Sequence, residues 1–316
     1  MKKIKLKIVE VFYGYMCNLT CQGCSSASDI VKDTQSDPTM ESIFTSIENL
    51  AKYVEPESVD LMGGELLLYW DRVEQIVPKI REHFPNTRIG MVTNGLLLDK
   101  YKDRLLALCE KYHPCDVDIT DHFTLFSSDI TAKKFHKKLD DFVATLNQGE
   151  VIRWEDPRGR LERYKDSTQI DDWKRIMIRE RNYSNDYTNV KVTNPQEFMP
   201  CYTEANGQIK PHATNDPQGS YTHGCAMPWC YTLVDSKLYK CSWFVVLPKI
   251  LEKHNQLDDL DWAKYLAYAP VDLTNPTEQA LINFENNSLR GISLCDMCSN
   301  NPNTNIKQTK DNVLNQ

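Results

Sequence analysis

The sequence predicts an α/β fold, with a parallel sheet built from six successive βα units and then a smaller cysteine-rich unit. Three observations predict it. Short β-branched runs alternate with amphipathic segments from the N-terminus to about residue 195, the pattern of a parallel sheet with crossover helices. The composition then turns polar and rich in Gly, Pro and Asn between Thr203 and Gly224, which reads as a linker or long loop. Beyond it, five of the eleven cysteines fall between Gly224 and Cys298.

The strand candidates are Ile4 to Phe12, Val59 to Met62, Arg88 to Thr93, Asp116 to Thr120, Val151 to Trp154 and Val190 to Thr193. Between them run apolar stripes at helical spacing: Ile43, Ile47, Leu50 and Val54; Val73, Ile76, Val77 and Ile80; Leu105, Leu108, Cys109 and Tyr112; Phe135, Leu139, Phe142, Val143 and Leu146. Asp37-Pro38 reads as a helix cap followed by proline in the first turn. A fifth helix is expected over Ile170, Trp173 and Met177. In the second unit, Tyr231 to Val234 and Leu238 to Cys241 read as a hairpin joined by Asp235-Ser236-Lys237. The expected domains are therefore 1–202, 203–298 and a polar, poorly ordered tail over 299–316.

Composition narrows the function. With 316 residues, 41% hydrophobic and 26% charged, the chain can bury a sizeable core. A net charge of −7 argues against broad, nonspecific phosphate binding, so nucleic acid is a weak candidate, open only through a local basic patch. The opening lysines alternate with apolar residues and no long apolar run follows, so neither export nor membrane insertion is expected and the cytoplasm is the expected location. Eleven cysteines clustered at both ends of a chain of this size suit metal ligation better than disulfides.

The first cysteine group follows the first strand. Cys17, Cys21 and Cys24 sit at C-x3-C-x2-C spacing in one loop. A four-iron cluster takes one thiolate per iron, so three local thiolates leave one iron open to a small-molecule chelate. The competing reading, zinc, needs a fourth ligand that this loop lacks. Cys109 and Cys115 read instead as buried thiols beside their elements. Cys201, after Pro200, reads as an uninvolved thiol or as a proton or hydrogen donor to the active site.

C-x3-C-x2-C after a first strand is the signature of the radical S-adenosylmethionine (SAM) superfamily, which this sequence resembles over nearly its whole length. The resemblance implies a partial (β/α)6 TIM-like barrel with a small C-terminal twitch-like domain. It implies a SAM-binding 4Fe-4S cluster on Cys17, Cys21 and Cys24, which are then the catalytic ligands. Gly63-Gly64-Glu65 at the end of the second strand is similar to the family's Gly-Gly-Glu motif for the SAM amino group. Glu65 supplies an anionic acceptor for an ammonium. Thr93-Asn94 and Asp118 with Thr120 stand where family members line the same pocket, at the C-terminal ends of strands. Gly23 stands where the family commonly has an aromatic residue.

Cys225, Cys230, Cys241, Cys295 and Cys298 form C-x4-C-x10-C and then C-x2-C. Zinc is the competing reading here. The run Cys230 to Cys241 resembles the half of a SPASM domain called twitch, with Ser236 where glycine is usual, and implies a second, auxiliary 4Fe-4S cluster. Five cysteines compete for four places. Cys241, Cys295 and Cys298 are the expected ligands, and the fourth is Cys225 or Cys230.

The resemblance implies reductive cleavage of SAM to a 5'-deoxyadenosyl radical, with an electron donor such as flavodoxin or ferredoxin. A second cluster favours net oxidation of the substrate, so the leading expectation is oxidative modification of a peptide or protein. Oxidation or rearrangement of a small metabolite, sugar or nucleotide is the alternative, and a noncatalytic metal-binding module is the third. No separate leader-binding domain is expected before the first strand, which weakens the peptide reading without excluding it.

Overall fold

The computed structural model describes residues 1–31, 34–120, 130–144, 151–153, 176–179, 197–198, 200–225, 228–301 and 306–307. Its elements run β1 (Ile4–Phe12), α1 (Met40–Tyr53), β2 (Val54–Met62), α2 (Trp70–His83), β3 (Arg88–Thr93), α3 (Leu98–Lys111), β4 (Cys115–Thr120), α4 (Ile130–Ala144), β5 (Val151–Arg153) and β6 (Ile176–Arg179). There follow β7 (Glu197–Phe198), β8 (Tyr202–Ala205), β9 (Gln208–Pro211), β10 (Cys230–Val234), β11 (Lys237–Tyr239), α5 (Trp243–Lys253), β12 (Val271–Asp272), α6 (Glu278–Ser288) and β13 (Ile306–Lys307). Nine strands form one open sheet in the order β12-β11-β10-β1-β2-β3-β4-β6-β5. It is parallel from β10 to β5 and antiparallel only at the β10-β11-β12 edge. The α/β class and mostly parallel sheet expected from the sequence are present.

The predicted stripes explain why helices cover one face. Ile43, Ile47 and Leu50 of α1, Val73, Ile76, Val77 and Ile80 of α2, and Leu105, Leu108 and Cys109 of α3 are buried in one core. They pack on Val9, Val11, Val59, Leu61, Ile89, Met91, Val117 and Ile119, every second residue of the central strands. Thr39, not Asp37, caps α1, its hydroxyl accepting from Ser42 N at 3.1 Å.

Two further expectations differ. Met177 lies in β6, not in a helix, because Ile176 to Arg179 pairs with β4 on one side and β5 on the other. A short, β-branched run flanked by two open strand edges satisfies more backbone groups extended than coiled. The hairpin turn is Asp235-Ser236 alone, with φ of 49° and 59°; Lys237 already pairs with Val234. Two positive φ values match the twist of the flanking strands, and Ser236 carries the conformation that a glycine takes more cheaply. Leu146, Trp154, Ile170, Trp173, Val190 to Thr193 and most of the tail lie outside the described residues.

The opposite face of the sheet is polar. Ile8, Ser58 and Arg88 are register partners across β1, β2 and β3, as are Glu10, Asp60, Gly90 and Asp116 across β1 to β4. Arg88, 4% exposed, bonds Asp116 bidentately at 2.8 and 2.6 Å, and also Asp60 at 2.9 Å and Ser58 at 2.8 Å. Removing that guanidinium leaves buried carboxylates without their cation, a change that typically costs about 3–5 kcal/mol. Arg88→Met is expected to lose stability on that scale in urea unfolding followed by circular dichroism, with Arg88→Lys losing less.

Candidate active site

The first cysteine loop is fastened to the ends of β2 and β3. Gly64 N donates to Gly14 O and Glu65 N to Met16 O, both at 2.9 Å, and Tyr13 OH donates to Gly64 O at 3.0 Å. A Cβ on Gly64 would stand 1.9 Å from the Met16 carbonyl, and one on Gly63 would stand 2.6 Å from that of Gly14. The two glycines are thus required by contact with the cysteine loop itself.

Glu65 is 2% exposed. One oxygen accepts from Leu67 N at 3.0 Å and from the Thr93 hydroxyl, and the other accepts from Asn94 N at 2.8 Å. Burial pushes its carboxyl above the usual range, against the pull of those three donors. A carboxylate offers about four acceptor positions, so these bonds leave room for one more donor. Asn94 then carries the link to the loop: its amide donates to Asn18 Oδ1 at 2.7 Å and lies 3.9 Å from Cys17 Sγ. Leu19 N donates to the same sulfur at 3.4 Å. Cys17, Glu65, Thr93 and Asn94 are therefore one connected constellation. Asp118 and Thr120, both buried, lie on the other face of β4 from Ile119, which pairs with Thr93.

Several residues of this site escaped the sequence reading. Asp37 accepts from Tyr15 N at 2.9 Å and from Tyr69 OH at 2.7 Å, and Tyr69 OH accepts from Met16 N at 2.9 Å. Arg72 donates to Tyr13 O at 2.9 Å and Pro38 O at 2.8 Å. Asp37 is thus a support of the cysteine loop, which is why it does not cap α1. Tyr13 is buried beside Glu65, Cys17 and Cys24; burial first and then those neighbours hold its hydroxyl well above its ordinary range. Gly23 takes a φ of 72° and donates to Asp29 at 3.1 Å. A residue with a Cβ would be strained in that conformation.

The second cysteine group forms where α5, the β11 end and a tight turn over Ser293–Met297 meet. Cys298 is held well above the usual thiol range by burial and then by Cys201, Cys241, Cys225 and Cys295. Cys241 is raised likewise, by burial and then by Cys295 and Cys225. Cys225, Cys241, Cys295 and Cys298 thus share one neighbourhood, together with Cys201, which is 0% exposed. Cys230 pairs with Ile8 across β10 and β1 and acts electrostatically on Tyr231 and Tyr221. The turn carrying Cys295 and Cys298 is pinned by Asp296, which accepts from Lys264 at 2.7 Å and Tyr265 OH at 3.1 Å. Ser220 Oγ donates to Cys298 O at 2.8 Å.

A single apolar cluster joins the two groups, with Ala27 and Val31 from the first loop, Cys201, Tyr202, Trp243 and Met297. Burial and then the neighbouring Asp29 and Cys201 raise the Tyr202 hydroxyl above its ordinary range, and its ring meets that of Trp243 edge-on at 6.3 Å. Among the described residues, no three His, Cys, Asp or Glu side chains converge closely enough for a single metal ion. No helix among them is long and apolar enough to cross a membrane.

Residues 8–140 match the family model described as a 4Fe-4S single cluster domain. The matched stretch contains Cys17, Cys21, Cys24, Gly63 to Glu65, Thr93, Asn94, Asp118 and Thr120, and it stops before the second cysteine group. No curated protein matches the chain. Among solved structures, it is similar to BtrN in complex with AdoMet and 2-DOIA, at 15% identity and a TM-score of 0.46, over 95% of this chain and 94% of that one. It is also similar to a polyhistidine-tagged anSMEcpe with bound AdoMet, at 16% identity and a TM-score of 0.32, over 57% of this chain and 55% of that one.

The close approach at Gly64 gives a direct test. Gly64→Ala must displace the Met16 carbonyl and with it the loop between Tyr15 and Cys24. The variant is expected to lose at least half of the iron held by the first cysteine group, counted per chain after anaerobic reconstitution.

Proposed function

We propose that this chain is a radical SAM enzyme that carries a 4Fe-4S cluster on Cys17, Cys21 and Cys24 and an auxiliary 4Fe-4S cluster on Cys225, Cys241, Cys295 and Cys298, and that it oxidises an organic substrate. The observation that carries the reading is the first constellation: a three-thiol loop bonded through Asn18 and Asn94 to a buried Glu65, within residues that match a 4Fe-4S single cluster domain. When bound, a reduced cluster with SAM supplies one electron to the sulfonium and so a 5'-deoxyadenosyl radical that takes hydrogen from the substrate.

The donor set fits such a group. Three thiols at C-x3-C-x2-C leave one iron position for the amino and carboxylate groups of SAM. Leu19 N and the Asn94 amide beside Cys17 stabilise a thiolate there. Glu65 retains one acceptor position for the SAM ammonium, and Thr93 and Asn94 hold its carboxylate in place for it. Tyr13, Asp37 and Tyr69 keep the loop in one conformation, and the apolar cluster around Ala27 and Trp243 excludes water from its flank. Cys225, Cys241 and Cys295 all lie in the neighbourhood of Cys298, which suits an iron-sulfur cluster at the second group. Cys225 joins them, while Cys230 lies on the strand beside Ile8, which supports Cys225 as the fourth ligand.

Oxidative modification of a peptide or protein is the reading supported by the twitch-like segment. One observation favours the small-metabolite alternative. The polar face of the sheet carries Asp60 and Asp116 bonded to Arg88, with Glu10 and Asp118 on the same face, and the hydroxyl of Thr232, register partner of Glu10, is buried without a partner among the described residues. Such a surface suits a compact polar molecule better than an apolar peptide side chain.

Anaerobic reconstitution followed by SAM and dithionite tests the enzyme reading. Formation of 5'-deoxyadenosine is expected, with about eight irons per chain. The triple variant Cys17→Ala, Cys21→Ala, Cys24→Ala is expected to make none and to keep about four irons; retained cleavage would sink the assignment. Separately, Cys225→Ala is expected to lose the auxiliary iron and Cys230→Ala to keep it.

A further inference from the structure

In a chain of net charge −7, one surface is dense in cations. The stretch Ile130 to Leu139 of α4 carries Lys133, Lys134, Lys137 and Lys138 and no carboxylate. Between α4 and α3 opens a cavity of about 260 Å³, lined by Lys102, Lys134, Lys137 and Lys138, with Asp99 and Asp141 as its only carboxylates. Both are already taken, Asp99 by Lys138 at 2.8 Å and Asp141 by Lys137 at 2.7 Å. Lys133 and Lys134 are exposed, and with Lys102 they pair with no carboxylate among the described residues. A lysine face on a helix is ordinarily just solvated, and this one is set apart by its place. Lys138 donates to Leu96 O at 3.1 Å, and Leu96 N donates to Asn94 Oδ1 at 3.0 Å. Asn94 is the residue whose amide reaches Asn18 and stands 3.9 Å from Cys17 Sγ. The cationic surface and the first cysteine loop are thus linked through one short turn after β3. The other lysine run, Lys2, Lys3, Lys5 and Lys7, lies at the opposite end of β1 from that loop, and its Lys7 is paired with Glu57.

We propose that the α3–α4 surface is the docking site of the electron donor, a small acidic one-electron carrier protein. The inference rests on the radical SAM reading above, which requires one electron from outside the chain at the group held by Cys17, Cys21 and Cys24. In that step the carrier is oxidised by one electron, the 4Fe-4S cluster is reduced by one, and no covalent bond forms or breaks. Charge complementarity sets the chemistry of the partner: a carboxylate-rich surface meets lysines that the chain itself leaves unneutralised. Such pairing speeds encounter and fixes orientation more than it tightens binding, as suits a carrier that must leave after each delivery. The excess of negative charge elsewhere on the chain turns an acidic partner away from other faces. Seated over Lys102, Lys133 and Lys134, the carrier lies against the turn that touches Cys17. Lysine fits this use, because its compact ammonium on a flexible stem adapts to a partner without demanding one fixed geometry.

Docking is tested apart from chemistry. Lys102→Glu, Lys133→Glu and Lys134→Glu are combined in the full chain, with Lys2→Glu plus Lys3→Glu as the control variant. Binding of an acidic flavodoxin, kept oxidised so that no electron moves, is measured by biolayer interferometry at low and at physiological salt. The α3–α4 variant is expected to bind about tenfold more weakly than the parent, the parent to bind more weakly as salt rises, and the control to match the parent. In the reconstituted enzyme, 5'-deoxyadenosine formation driven by reduced flavodoxin is expected to fall by a similar factor, while that driven by dithionite is unchanged. Where the α3–α4 variant does not fold, Lys133→Glu with Lys134→Glu, both at exposed positions, decides by the same binding measurement. Equal binding by parent and α3–α4 variant, an equal loss in the control, or capture of a duplex oligonucleotide in place of flavodoxin overturns the inference alone. No 5'-deoxyadenosine from the parent with dithionite overturns the enzyme reading and the inference with it.

Discussion

The fold and the site both depend on the contact between the first cysteine loop and the end of β2. Gly64 and Glu65 give their N–H groups to carbonyls of the loop, and the space beside Gly64 is filled by Met16. Because the loop lies flat on a strand end, its shape is inherited from the sheet. Glu65 follows the contact directly, so its carboxylate is delivered to Thr93 and Asn94 with little conformational freedom left to lose. Asn94 closes the circuit back to Asn18. Three segments separated in sequence thus fix one another, and none of their key bonds lies within a regular helix or strand.

The sheet separates two chemistries. One face is hydrophobic and covered by α1 to α3, and this burial supplies most of the driving force for the arrangement. The other face carries carboxylates gathered around Arg88. The guanidinium lets acidic residues be buried there, because its planar fork satisfies two carboxylates and a hydroxyl at once.

Much of this was legible in the sequence, since Ile4 to Phe12 and Arg88 to Thr93 are strands with the bounds their pattern implies. The helix stripes and the Cys17, Cys21 and Cys24 loop were equally plain, because periodicity and spacing are local properties. What escaped was non-local. Asp37 serves Tyr15 and Tyr69, across 22 and 32 residues, and no spacing rule marks such a pairing; its neighbour Pro38 instead suggested a cap. Met177 was read as helical because a short apolar run has no period of its own until neighbouring strands claim it. The proposed preference for Cys225 over Cys230 rests on where each thiol lies relative to β10, a question of strand pairing that cysteine spacing does not address.

The pairing of β10 with β1 has one more consequence. Ile8 to Val11 meet Cys230 to Leu233 in parallel register, so residues from the cysteine-rich half cover what would otherwise be the border of the βα sheet. A chain shortened before β10 would present an apolar, ladder-ready margin along β1, a template for adhesion to other copies. The late strands therefore act as a selvedge as well as a cofactor platform, and the closing of that margin and the approach to the second cysteine group are woven into the same five residues of β10.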